Sequence, residues 1–89
     1  MKTANISSKT IERLFLYRRA LMLLETARAH RLRREYTSVA HLIGRAQRES
    51  DETVKHSIFA RSAVLELLER RGPIREDARE LALAMGLLN

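Results

Sequence analysis

The chain has 89 residues, enough for one small domain with a modest core, and no cysteine, which excludes disulfides, zinc–thiolate sites and thiol catalysis. Seventeen lysines and arginines against eleven acids leave a formal charge of +6, which points toward an acidic partner such as nucleic acid. No apolar run nears the ~20 residues that cross a bilayer, and the first residues lack the pattern of a secretory signal, so a cytoplasmic chain with no membrane partner is expected.

Glycine occurs three times and proline once, and no segment alternates apolar and polar residues for long enough to make a strand. The spacing predicts a single all-α domain of four helices, over about 8–33, 38–48, 51–71 and 75–85, with residues 1–6 as a loose tail. The first helix begins at Ser7 or Ser8, whose hydroxyls can accept from the free N–H groups of the first turn. Ile11, Leu14, Tyr17, Leu21 and Leu24 then recur every three or four residues, the signature of one buried stripe. Phe15, Leu16, Met22 and Leu23 widen that stripe toward a second neighbour. Past Ala27 the stripe gives way to Arg28, His30, Arg31, Arg33 and Arg34. The helix dipole favours one or two cations at a C-terminus, but it does not require four.

Thr37 or Ser38 caps a short second helix carrying Val39, Leu42, Ile43 and Ala46 on one face. Ser50 opens the third, with Asp51 and Glu52 where the dipole favours negative charge. That helix is expected to run long, through Val54, Ile58, Ala63 or Arg61, Leu65 and Leu68. Arg70, Arg71, Gly72 and Pro73 make its end the clearest boundary in the chain. The fourth helix buries Ile74, Ala78, Leu81, Ala82 and Met85 and stops at Gly86, leaving the apolar tail Leu87 and Leu88 before Asn89. The apolar stripes of the third and fourth helices are long for so small a domain. They predict a homodimer with those two helices at the contact.

Catalysis and metal binding have little to work with. His41 and His56 have no second ligand three or four residues away, and His30 lies among arginines that discourage a metal. The serines read as caps, and no glycine-rich phosphate loop is present. The expectation is a non-enzyme with no metal and no cofactor.

Binding remains. A short helix, a tight break at Ser50 and a second helix with polar residues at its start have the order of a helix-turn-helix, although helical bundles contain such pairs too. Beyond that pattern, Ile6, Ser7, Thr10, Ile11, Arg13, Leu14, Tyr17, Arg19 and Leu21 resemble the opening of the N-terminal, winged-helix-like DNA-binding domain of the redox-sensing repressor Rex family. Ser50, Val54, Lys55 and Ile58 are similar to the start of that family's recognition helix, with His56 where a second basic residue is usual. The stretch from Leu42 to Ser50 is one residue longer than in the family, with Gln47 near the turn glycine's place. Arg61 and Ser62 replace the Phe-Gly that leads into the family's wing. Neither a wing nor a nucleotide-binding domain is therefore expected. Gly44, Gly72 and Gly86 form no dinucleotide-binding turn, so no response to NADH is expected either.

The resemblance implies a DNA-binding regulator of transcription with duplex DNA as its partner. Arg28, Arg31, Arg33 and Arg34 would contact phosphates, which fix position without reading sequence. Thr53, Lys55 and His56 would face the bases. Two alternatives stand beside this reading. The arginines can be a solvated helix end, and their abundance can reflect GC-rich coding. The exposed-looking Phe15, Met22 and Phe59, with the leucine tail, can belong to a helical protein-interaction or dimerisation module that binds no nucleic acid. RNA binding is less favoured, since only two tyrosines and two phenylalanines are available for stacking.

Overall fold

The computed structural model describes residues 7–88. The tail expected over residues 1–6 lies outside them, as does Asn89. The described residues form an all-α domain of five helices: α1 (Ser8–Leu32), α2 (Tyr36–Glu49), α3 (Asp51–Lys55), α4 (Ile58–Leu67) and α5 (Pro73–Ala84). No helix among them is long and apolar enough to cross a membrane.

Ser7 starts α1 as expected, its hydroxyl accepting from the Thr10 N–H at 3.1 Å. The far end closes by two reverse hydrogen bonds, the Arg34 N–H to the Arg31 carbonyl at 2.9 Å and the Glu35 N–H to the His30 carbonyl at 3.0 Å. This is a Schellman closure, and it forces residue 34 into the left-handed region, at φ 61°. The end of α5 closes identically, the Gly86 N–H to Leu83 and the Leu87 N–H to Ala82, with φ 74° at Gly86. One motif has the glycine it calls for. The other has an arginine.

The α2 helix starts earlier than the sequence predicts. Glu35 flanks it without a side-chain cap, and Thr37 and Ser38 lie inside the first turn rather than capping it. The Schellman closure of α1 delivers the chain directly into α2, so no hydroxyl cap is needed to set its start. The α2 stripe behaves as predicted, with Val39, Ile43 and Ala46 fully buried and Leu42 half-buried against the core.

The predicted long third helix is two helices. His56 and Ser57 interrupt it, and the Ser57 hydroxyl accepts from the Ala60 N–H at 3.0 Å, capping a new helix start. A serine side chain that satisfies a free N–H offers the backbone an alternative to continuing the old helix. The break rotates every later position. Phe59, Ala60, Ala63, Val64 and Leu67 are buried, while Ile58 and Leu65 of the expected stripe are turned out. The helix also ends at Leu67, not Arg71; Gly72, at φ 78° and ψ −150°, precedes Pro73 at the first position of α5. That combination of angles belongs essentially to glycine.

The α5 stripe of Ala78, Leu81, Ala82 and Met85 completes the core, and Leu87 and Leu88 fold back against it. The stripes of α4 and α5 are thus covered mainly within the chain. The stripe of α1 is not. Leu24 is buried, but Ile11, Leu14, Tyr17 and Leu21 keep 39–58 % of their surface. The face α1 gives the core is Ala20, Leu24 and Ala27, with Leu23 beside them. Small side chains let α2 approach closely. At 1.5 Å per residue, α1 extends ~37 Å and α2 only ~21 Å, so the α1–α2 contact cannot cover both ends of α1.

Candidate nucleic-acid interface

The C-terminal turns of α1, the start of α2 and the end of α4 enclose a concavity of about 570 Å³, lined by Arg28, Arg31, Leu32, Arg34, Tyr36, Glu66 and Arg70. Four arginines and one glutamate therefore border the same small space. Three of the four sequence-chosen phosphate residues meet here. Arg33 does not line it, and its Nε lies 3.6 Å from Glu35, whose carboxylate also meets the His30 ring. Arg70 takes the fourth place. Its sequence context reads only as a dipole-favoured helix end. The local signal was Tyr36, whose ring lies 3.9 Å beneath the Arg70 guanidinium and holds it over the start of α2.

The arginines differ in what holds them. Arg31 Nε donates to Glu66 at 2.7 Å, bridging α1 to α4. Arg28 lies 4.8 Å over the Phe59 ring, with Glu25 3.6 Å from its Nε. Among the described residues Arg34 and Arg70 make no ion pair. Fixed guanidinium planes suit the bidentate geometry of phosphate, because less rotamer freedom remains to be lost on binding.

Two of the three residues expected to face bases, Thr53 and His56, occupy the neighbouring cleft between α1 and α3. Thr53 and His56 line it together with Tyr17, Leu21, Glu25 and Arg28, so Arg28 joins the cleft to the arginine concavity. Thr53 is half-buried, and its hydroxyl meets that of Ser50 at 2.6 Å. His56 is exposed at the end of α3. Lys55 is half-buried and lines neither cavity; its carbonyl accepts a long bond from Arg61 at 3.4 Å. The α3 helix has five residues, ~7.5 Å of helix against a major groove ~12 Å wide. It joins α2 through Ser50 alone, and Gln47 donates to Asp51 across the joint at 2.8 Å.

Among the described residues no three histidine, aspartate or glutamate side chains are grouped to hold a metal. The molecule defined by these features is a small all-α module with a cationic hollow at one end. No family model matches the chain, and no curated protein or solved structure matches it either.

Proposed function

We propose that this domain is a DNA-binding module of a transcriptional regulator, holding backbone phosphates in the hollow formed by Arg28, Arg31, Arg34 and Arg70. One observation carries the reading. Arg34 occupies a left-handed position that a glycine would fill without strain, as Gly86 does in the equivalent motif of α5. A long cation placed there at a backbone cost of ~1–2 kcal/mol is accounted for by a phosphate-binding role of its side chain at the hollow it lines. The formal charge of +6 and the likeness of α1 to the opening of the Rex DNA-binding domain support the same conclusion. His56, exposed beside Arg28, is the side chain best free to reach a base edge, while Thr53 shapes the cleft wall.

The test is a titration of labelled duplexes at two salt concentrations. Each phosphate contact contributes ~0.9 to the slope of log affinity against log salt. A triple Arg28→Ala, Arg31→Ala, Arg70→Ala variant is expected to lose affinity for all duplexes alike and to flatten that slope by ~2–3 units. Arg33→Ala, outside the hollow, is expected to change little. Wild type and variant binding equally weakly, with no salt slope, would refute the reading. A second reading, a protein-interaction module without nucleic-acid binding, is favoured by the open apolar face of α1. It predicts that the arginine variants are silent in every binding assay.

A further inference from the structure

The outer side of α1 carries a second helical stripe, a half-turn away from the Ala20 and Ala27 face that meets the core. Ile11, Leu14, Phe15, Leu21, Met22 and Leu32 lie along it and keep 39–82 % of their surface. We propose that this face seats a second copy of the chain, the two α1 helices running antiparallel about a twofold axis level with Leu21 and Met22. The proposal does not depend on DNA binding.

Area and charge both point to a second copy as the occupant. At ~200 Å² for a large residue fully open, the six exposures amount to at most ~700 Å² per copy and ~1,400 Å² per pair, which reaches the lower part of the range of specific protein interfaces. The stripe is interrupted by two charges, Arg18 and Glu25, which lie close to its midline. With the axis between residues 21 and 22, Arg18 of one copy stands level with Glu25 of the second copy, and Glu25 with the second Arg18. The same register sets Ile11 level with Leu32 and Leu14 level with Ala29. Opposite charges thus meet opposite charges, Ile11, Leu14, Leu21 and Met22 meet apolar side chains, and Phe15 stands level with Arg28. A parallel arrangement in register would set Arg18 against Arg18 and Glu25 against Glu25. Arg18 makes no ion pair among the described residues, and Glu25 has only the exposed Arg28 at 3.6 Å, so both are available. Ile11, Phe15 and Met22 face away from the rest of the domain, while Leu14 and Leu21 flank the clefts toward α3 and Leu32 borders the arginine hollow.

Sedimentation equilibrium of the full chain without DNA, from about 1 to 200 µM, tests this. The expected result is a monomer–dimer equilibrium in that range. Met22→Asp, at an exposed position, is expected to weaken it at least tenfold with helical circular dichroism unchanged. Arg18→Glu and Glu25→Arg are each expected to weaken it, and the double swap to restore it to within a few-fold of wild type. A chain that stays monomeric throughout, or a dimer indifferent to Met22→Asp, overturns the proposal. A double swap no better than either single change overturns the antiparallel register.

Discussion

Arg34→Gly is expected to make the domain more stable and, if the proposed DNA-binding function holds, to weaken duplex binding. Arg34 lies at φ 61°, where the Cβ of an L-residue crowds the backbone at a cost of ~1–2 kcal/mol. Glycine removes that cost but gives back ~0.5–1 kcal/mol through the greater freedom of the unfolded chain. The net expectation is a gain of ~0.75 kcal/mol, the middle of a range of ~0–1.5 kcal/mol. The side chain subtracts nothing further, since Arg34 is exposed and forms no ion pair among the described residues. For a domain of this size that gain raises the melting temperature by ~3–6 °C. Urea unfolding followed by circular dichroism is the direct assay, with the slope unchanged and the midpoint raised. In the duplex titration the same variant is expected to lose ~0.9 of salt slope, the signature of one phosphate contact. A lowered urea midpoint would refute the strain argument, because no compensating ion pair of Arg34 among the described residues is available to explain it. A raised midpoint with unchanged DNA affinity would instead show that the strain is tolerated for some other reason.

Glu66→Gln removes the one carboxylate of the arginine hollow and frees Arg31; duplex affinity should rise several-fold, while stability falls by no more than ~1 kcal/mol because the pair is part-exposed. Ser57→Ala deletes the cap that begins α4 and should cost ~1 kcal/mol in urea unfolding. Ile43→Ala opens a cavity at a fully buried position at the centre of α2 and should cost ~3–4 kcal/mol, a large share of a small domain's stability, visible as a drop in melting temperature of well over 10 °C.

The parts of the fold legible in the sequence are those fixed by local chemistry or by complete burial. Ser7, Pro73 and Gly86 mark their helix ends because capping and terminating geometry is decided within a turn. The stripes of α2 and α5 were legible because each is short and covered along most of one side. Periodicity failed at α1, where it reports that a face is apolar but not what covers it; the alanines meet the core and the large side chains face outward. The break at His56 and Ser57 was hidden because serine is tolerated inside helices, and its capping role emerges only from tertiary packing that turns Phe59 inward. At the candidate site, the arginine cluster at the end of α1 was visible as a run. Arg70, thirty-six positions beyond Arg34, joins it only through α4 and its stacking on Tyr36.

The length of α1 has a metrical consequence for the antiparallel pair. A twofold axis perpendicular to two side-by-side helices leaves equivalent features facing the same way. The arginine hollow lies about a quarter-turn around α1 from the outer stripe, so both hollows would open toward one side. Along the helices, Arg28 of one copy is level with residue 15 of the other, Arg31 with residue 12 and Arg34 with residue 9, which separates the two hollows by ~20–37 Å at 1.5 Å per residue. One turn of B-form duplex is ~34 Å, the spacing at which dimeric readers meet successive faces of the same groove. A palindrome with half-sites one turn apart, rather than a single site, is the DNA that such a pair would measure.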